Sequence, residues 1–299
     1  MNKKPRSLAA QDRRLGIALL MPAIIILCAV IVYPMVHSFW LSTQNLNVSN
    51  PARGREYVGV QNYLEVLRSS EWWLSLMRTL YFVAADLLIG IPLGLAIATL
   101  LNKERRGKGL ILAIILFPYV LAPIVNSLIW KLIYDPNYGF LNGLLTQVGI
   151  LKDYVPWLSK PSLAAIMLII ANLWQGTPFA IVLFLAGLKS IPKEEYEAAA
   201  IDGASKLASF KYITIPHLKP IIYMNIVMKT ILTFKLFDIV YSLTGGGPGG
   251  STTVVSMLIY RESFEYMKFG QGAAMSYLLL LLVLTLVVVY SRMFKEEEI

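Results

Sequence analysis

The amino-acid sequence predicts an all-α membrane protein with six transmembrane helices. The first observation is composition: of 299 residues, 57% are hydrophobic and only 15% are charged, which is too apolar for an ordinary soluble domain. The second is a series of six long apolar runs, each close to the length of about 20 residues that a helix needs to cross a bilayer. We place the spans at residues 15–41, 77–101, 109–133, 161–188, 221–243 and 272–293.

The individual runs add detail to this architecture. Run 15–41 is longer than the core of a signal peptide and lacks a clear cleavage site, so we interpret it as an uncleaved first helix. After it, Tyr63, Leu64 and Leu67 favour a short amphipathic helix. In the fourth run, Trp174–Phe179 contains Gln, Gly, Thr and Pro, which predict a break that lines a cavity or lies buried in protein.

The distribution of basic residues predicts the orientation. Six spans place both termini on one side, and that side has sixteen Lys and Arg in its tails and loops against seven on the other. The richer side is cytoplasmic by the positive-inside rule. We therefore predict a cytoplasmic tail at 1–14, a cytoplasmic loop at 190–216 and a cytoplasmic tail at 294–299. The same distribution explains the net charge of +9 without nucleic acid as a partner.

Few residues could carry bond chemistry or bind a metal. Cys28 is the single cysteine and lies inside an apolar run, so we assign it to packing. His37 and His217 are far apart in sequence and are not part of a metal motif. The glycine-rich tract Thr244–Ser251 lacks the Lys-Ser/Thr of a phosphate-binding loop, and we interpret it as a flexible turn at a helix end. The sequence predicts neither an enzyme nor a metal site.

Loop 190–216 is a polar connection with the pattern of a compact helical unit. Pro192 suits a first helical turn, and three acidic residues follow it near the positive end of the helix dipole. Gly203 can end this helix in a left-handed conformation. A second short helix is predicted from Ala204 to Tyr212, running to Pro216. One stripe at helical spacing contains Tyr196, Ala199, Ala200, Gly203, Leu207 and Phe210.

The spacing in this loop resembles a known motif. Glu197-Ala198-Ala199 is followed after three residues by Gly203, and after nine more by Ile213-Thr214-Ile215-Pro216. This pattern is similar to the EAA loop in membrane subunits of binding-protein-dependent ABC importers, where it forms the coupling helix that docks on an ATPase subunit. The alternative is an amphipathic helix on the lipid surface. The resemblance implies an ATPase-coupling role for Tyr196, Glu197, Ala198, Ala199, Ala200, Asp202, Gly203, Leu207 and Phe210.

Two further stretches extend the resemblance through most of the chain. Phe237–Thr244 followed by Gly-Gly-Pro is similar to a recurring feature of sugar permeases, and Gly59–Tyr63 is a weaker match. The chain thus resembles a carbohydrate ABC importer permease of the maltose-permease type, with the MetI-like type I fold. This implies the cytoplasmic membrane of a prokaryote. It also implies a second homologous permease subunit, two ATPase subunits that hold ATP and Mg²⁺, an extracytoplasmic solute-binding protein, and no cofactor in this chain.

A polar strip on the fifth span indicates a substrate pathway. Asn225, Lys229 and Thr233 are spaced four residues apart, and polar groups inside a span usually face protein or water. The resemblance implies that residues of the fourth and fifth helices contact the sugar midway through the membrane. The predicted pathway set is Gln175, Gly176, Phe179, Asn225, Lys229, Leu232, Thr233 and Leu236.

Three interpretations of Lys229 remain open: it lines the pathway, it pairs with Asp86 or another subunit, or it snorkels to the interface. If it faces the solute as a cation, an acidic or phosphorylated sugar would be favoured. Lys235 and Asp238, three residues apart, favour a structural pair or a gate contact.

The rival functions are an ABC permease for a non-sugar solute, an ion-coupled secondary transporter and a membrane-embedded enzyme. A secondary transporter would need buried coupling carboxylates, for which Asp86 and Asp238 are the candidates.

Overall fold

The structure, a computed structural model, describes residues 8–47, 56–103 and 107–295. Three of the five basic residues in the predicted tail 1–14 lie outside the described residues, as does most of the predicted tail 294–299. The chain divides into two compact units. One comprises residues 1–68 and 261–278, and the other comprises residues 69–260 and 279–299.

The first unit begins with a long helix that is apolar on all sides. Helix α1 (Leu8–Leu27) continues through a π-helical turn at Cys28–Val32 into α2 (Tyr33–Ser42). None of its most hydrophobic stretch is buried within the chain, and Leu, Ile and Val occupy every face. A helix that is apolar all round is typical of a membrane span.

A small hairpin and a short helix follow in this unit. Strand β1 (Gln44–Asn45) pairs antiparallel with β2 (Glu56–Tyr57), and α3 spans Gln61–Arg68. The amide of Asn62 donates to the backbone oxygens of Ser42 at 2.8 Å and of Gln44 at 2.9 Å. These two bonds attach α3 to the end of α2 and to β1.

The buried face of α3 differs from the predicted one. Asn62 and Val66 are its buried side chains, whereas Leu64 and Leu67 are 47% and 42% exposed. Tyr63 is half-buried, and its hydroxyl lies 2.6 Å from the hydroxyl of Ser42. The hydrogen bonds of Asn62 orient the helix, so a pattern of apolar residues alone could not identify the buried side.

Within the described residues of the second unit, every regular secondary-structure element is a helix. Their bounds are α4 Ser70–Ala85, α5 Ile91–Asn102, α6 Lys108–Val120, α7 Pro123–Ile133, α8 Phe140–Gln147, α9 Pro161–Ser190, α10 Lys193–Ile201, α11 Lys206–Ser209, α12 Ile215–Phe234, α13 Asp238–Leu243, α14 Val255–Tyr260 and α15 Phe269–Lys295. Helix α15 begins in the first unit and ends in the second. A π-helical turn at Asp86–Gly90 joins α4 to α5, and another at Phe210–Thr214 joins α11 to α12.

Helix α9 is the centre of the second unit and packs against α5, α6 and α12. Glycines allow this close approach. A Cβ on Gly94 of α5 would lie 2.8 Å from the Cβ of Ala180, and one on Gly187 would lie 2.8 Å from Leu218 of α12. Small residues at such contacts let helix backbones approach, which favours dispersion contacts between membrane helices. One buried cluster surrounds Leu168 and Val240, and a second surrounds Phe184 and Leu218.

Four described helical stretches are long and apolar enough to cross a membrane: Leu15–Ser42, Ser70–Asn102, Pro161–Ser190 and Phe269–Phe294. They overlap the predicted first, second, fourth and sixth spans. The pair α6 and α7 raises the number to five if it is one broken span. Helix α12 is 20 residues long, but Lys219, Asn225 and Lys229 make it less apolar than these four stretches. The fold is thus all-α and compatible with six spans.

The predicted third span is not one straight helix. Helices α6 and α7 meet at 100°, and the chain is extended at Leu121 and Ala122. The cause is local, because a proline disfavours the helical conformation in the residue that precedes it, and Pro123 follows Ala122.

The prediction of a break in the fourth span is also wrong. Helix α9 continues from Pro161 to Ser190, with Pro178 inside it. The Thr177 hydroxyl donates to the backbone oxygen of Leu173 at 2.6 Å, and neighbouring helices pack around this turn. Such packing tolerates a proline in a membrane helix. The interruption occurs instead in the fifth run, between Phe234 and Asp238.

Candidate functional site

A cavity of about 490 Å³ opens in the second unit between α9, α12, the π-helical turn Asp86–Gly90 and the break between α6 and α7. Seven of the eight predicted pathway residues line it. Its walls comprise Asp86, Tyr119, Leu121, Pro123, Asn172, Gln175, Gly176, Phe179, Lys229, Leu232, Thr233, Lys235, Leu236, Phe237, Asp238 and Ile239.

The polar centre of this cavity is the carboxylate of Asp86. Lys229 Nζ donates to Oδ1 at 2.8 Å, and both side chains are almost fully buried, with 4% and 3% exposed. Asn172 Nδ2 and the Thr233 hydroxyl donate to Oδ2 at 2.9 and 2.6 Å. The carboxylate thus accepts three side-chain hydrogen bonds from two different helices. A buried charge is tolerated only with such pairing and hydrogen bonding.

This geometry decides between the interpretations of Lys229. Its ammonium pairs with Asp86 within the same chain and also lies at the cavity wall. Snorkelling does not describe it, since the amine is buried. The ammonium is paired with a carboxylate of the same chain, so it is not an isolated cation at the cavity wall.

Gln175 has a role that the sequence did not indicate. Its amide nitrogen donates to the backbone oxygen of Leu121 at 3.0 Å, and its amide oxygen accepts from Asn126 at 2.7 Å. The Leu121 carbonyl lies at the break between α6 and α7. Gln175 therefore connects α9 to both sides of that break and stabilises the bent arrangement.

Aromatic rings form another part of the wall. Tyr119 and Phe179 are stacked with ring centroids 5.8 Å apart. Trp174 packs edge-on against Trp130 and lines a separate apolar groove instead of the cavity.

Asn225 is the one predicted pathway residue that does not line the cavity. It is fully buried, and its amide donates to the backbone oxygen of Ile221 one turn earlier in α12. Lys235 and Asp238 do line the cavity mouth, but none of the ion pairs found among the described residues joins them. Asn126, Asn172 and Tyr119 were missed, although the two asparagines are polar residues inside apolar runs.

Loop 190–216, which we call the coupling loop after its predicted role, folds as a helix, a tight turn and a second helix. Pro192 immediately precedes α10, whose first turn contains Glu194 and Glu195. Gly203 has φ +79°, the left-handed conformation predicted for it. The amides of Gly203 and Ala204 donate to the carbonyls of Ala200 and Ala199 at 3.2 and 2.9 Å. These bonds end α10 in the manner of a glycine C-cap.

The second helix of the loop does not end at Pro216. Helix α11 continues through the π-helical turn into α12, so the loop is joined rigidly to the helix that contains Lys229. The prediction of a short helix from Ala204 to Tyr212 is therefore wrong in its end point. Pro216 lies just after the π-helical turn inside this continuous helical stretch, where its missing N–H removes one backbone donor without ending the helix.

The predicted stripe divides between two sides of the loop. Tyr196 faces inward, with its hydroxyl 2.8 Å from that of Thr214, and lines a groove with Ala200 and Phe210. Leu207 is 76% exposed and Ile201 is 87% exposed. Leu207 shares this exposure with five other residues of the predicted coupling set: Glu197, Ala198, Ala200, Asp202 and Gly203.

Comparisons with known proteins agree with this architecture. Residues 90–295 match the family model of the binding-protein-dependent transport system inner membrane component. The chain is 37% identical over 291 residues to the trehalose/maltose transport system permease protein MalF of Thermococcus litoralis, covering 97% of both chains. It is 34% identical to the trehalose transport system permease protein SugA of Mycobacterium tuberculosis, covering 95% of this chain and 89% of that protein.

A solved structure supports the fold separately. The chain aligns with a chain from the crystal structure of a bacterial ABC transporter involved in the import of the acidic polysaccharide alginate, with a TM-score of 0.83 and 22% identity. The alignment covers 97% of this chain and 99% of that one. Sequence and structure together give one assignment: this chain belongs to the family of inner membrane components of binding-protein-dependent transport systems.

Proposed function

We propose that this chain is the membrane-spanning permease subunit of an ATP-driven importer that moves a sugar or oligosaccharide across the cytoplasmic membrane of a prokaryote. The observation that carries this proposal is the cavity, which combines amides, a hydroxyl and stacked aromatic rings at mid-helix. Such groups suit a sugar, whose hydroxyls need hydrogen-bond partners and whose ring faces pack on apolar surface. Full-length similarity to sugar permeases supports the same substrate class.

The importer needs partners that supply energy and substrate. In our proposal a second homologous permease subunit completes the pathway, and an extracytoplasmic solute-binding protein delivers the sugar. Two ATPase subunits bind ATP and Mg²⁺, so this chain catalyses no bond chemistry and needs no cofactor of its own. Both termini and the coupling loop lie on the cytoplasmic side, as the distribution of Lys and Arg indicates.

The coupling loop is the proposed contact with the ATPase. Ile201 and Leu207 flank Gly203 and project into solvent, and exposed apolar residues beside small ones are typical of a docking surface. Helix α11 is continuous with α12, so movement of the loop would displace the helix that forms one wall of the cavity. ATP-driven closure of the ATPase pair would in this way alternate the access of the cavity between the two sides.

Reconstitution tests the proposal. The chain is purified by an affinity tag with its partner subunits and placed in proteoliposomes with the solute-binding protein outside. Uptake of labelled trehalose, maltose and longer maltodextrins is then measured with and without internal ATP. We expect uptake of at least one sugar that requires ATP. Uptake that survives ATP depletion, or a complex that transports none of these sugars, would contradict the proposed function.

A further inference from the structure

The ionisable side chains of the cavity balance one another. Among the described residues that line it, the lysines are Lys229 and Lys235 and the acids are Asp86 and Asp238. One acid and one base lie buried in the wall, and the others are exposed at the mouth. The lining therefore presents polar groups to a solute without a net charge.

We propose that Asp86 is a specificity-determining residue: by neutralising Lys229 it makes the cavity select uncharged sugars and reject anionic ones. This inference rests on the proposed function and specifies its substrate class. Without the carboxylate, the wall of the cavity would present an unpaired ammonium to the solute. In the low dielectric of a buried site, such a cation attracts an anion far more strongly than in water.

The ammonium of Lys229 is held in the cavity wall, between α9 and the π-helical turn. A Cβ on Gly176 would lie 2.9 Å from Nζ, and one on Gly90 would lie 3.6 Å from it. Both positions lack a side chain, which leaves the space that the amine occupies between α9 and the π-helical turn. The wide π-helical turn begins at Asp86 itself, and such turns are frequent at functional sites.

Other neighbours of Lys229 cannot replace Asp86. Asn172 and Thr233 donate hydrogen bonds to the carboxylate, and neither side chain carries a negative charge. Asp238 lies at the exposed mouth, where solvent and salt screen its charge. The selection against anions thus depends on one residue, and removing its charge should reverse the preference.

Equilibrium binding to the assembled importer tests the proposal. The complex is placed in nanodiscs without the solute-binding protein, so that only the membrane site selects. The probes are trehalose, trehalose 6-phosphate and an amino-trehalose, which share one scaffold and differ in charge. We expect Asp86→Asn to increase affinity for the phosphate probe by at least about tenfold relative to trehalose. Adding Lys229→Gln to Asp86→Asn should restore the preference of the unmodified protein.

A matched control separates local charge from total charge. Asp238→Asn makes the same change at the exposed mouth and should alter the ratio by about twofold or less, because solvent screens it. If Asp86→Asn fails to assemble, Lys229→Gln alone tests the proposal with the opposite sign. It leaves the carboxylate unpaired and should increase affinity for the amino-trehalose by about tenfold.

The outcomes keep this inference distinct from the proposed function. An unchanged probe ratio in both Asp86→Asn and Lys229→Gln would overturn the role of Asp86. An equal effect of Asp238→Asn would also overturn it, since position would then not matter. Absence of sugar uptake by the unmodified importer would contradict the proposed function alone, because the phosphate-probe gain depends only on the charge of the wall.

Discussion

The cavity and the coupling loop place polar and apolar groups in opposite ways. In the cavity two charged side chains are buried at 3% and 4% exposure, and each has its partner inside the chain. In the loop, Ile201 and Leu207 are exposed at 87% and 76%, outside the predicted spans. The difference teaches that the buried charges of the cavity are paired within this chain, whereas the loop exposes apolar side chains that a partner protein could cover.

The largest effect should follow from breaking the buried pair. Lys229→Ala leaves Asp86 buried without a counter-charge, which should destabilise the protein by about 3–5 kcal/mol. Thermal unfolding of the purified complex measures the loss. Lys229→Ala combined with Asp86→Ala should recover part of it. The control Lys235→Ala removes an exposed lysine from the same cavity and should change stability by about 0.5 kcal/mol or less. If Lys229→Ala and Lys235→Ala reduce stability equally, the buried lysine of the wall and the exposed lysine of the mouth do not differ as we expect.

Bulk at the turn of the coupling loop should uncouple transport. A Cβ on Gly203 meets no atom within 4 Å, so Gly203→Trp can project toward a docked ATPase and prevent close approach. The uptake of sugar per ATP hydrolysed should fall by about tenfold or more. Gly203→Ala is the matched control, because it carries the same left-handed strain of about 1–2 kcal/mol without the bulk. Similar uptake in the two variants would argue against docking at this surface.

Loss of the Gln175 bridge should have an intermediate effect. Gln175→Leu leaves the Leu121 carbonyl and the Asn126 amide without these partners, at a cost of about 1–3 kcal/mol. Unfolding of the purified complex again provides the measurement. Asn126→Leu in the same background should add less than it does alone, since the two amides bond each other. Full additivity would mean that the bridge does not connect α9 to the break.

The smallest effect is expected at the inner side of the loop. Tyr196→Phe removes the hydroxyl that contacts Thr214 and should cost about 0.5–1.5 kcal/mol. Because this side chain faces the protein, coupling of ATP hydrolysis to uptake should stay close to that of the unmodified importer. Leu207→Asp, on the exposed side, should reduce coupling strongly with little change in stability. The reverse ranking would move the docking surface to the inner groove.

Much of the candidate site could be predicted from the sequence. The turn at Gly203 follows from local chemistry, since its left-handed backbone and the helix before it depend on nearby residues. The spacing Glu197-Ala198-Ala199 to Pro216 identified the loop because the motif is continuous in the chain. The resemblance to sugar permeases and the polar strip on the fifth span together select eight predicted pathway residues, of which seven line the cavity. Asn225 was misplaced because its amide bonds to its own helix, which spacing cannot reveal.

The features that the sequence analysis predicted wrongly, or did not predict, depend on tertiary contacts. Proline signals predicted a break at Pro178 and an end at Pro216, but the helices continue through both positions. The true breaks lie at Leu121–Ala122 and between Phe234 and Asp238. Whether a proline interrupts a helix depends on the groups that surround it. For Gln175, the bond to the Leu121 carbonyl crosses 54 residues, and no local pattern contains it.

The sequence by itself determined the all-helical membrane architecture, the family motif and the position of the loop, because hydropathy and short-range spacing act between neighbours in the chain. Only the tertiary structure decided that Lys229 pairs with Asp86 across 143 residues. Three other side chains form this network with Asp86, and all three are far from it in the sequence. These side chains can interact only because helix packing brings their polar atoms within 3 Å of one carboxylate.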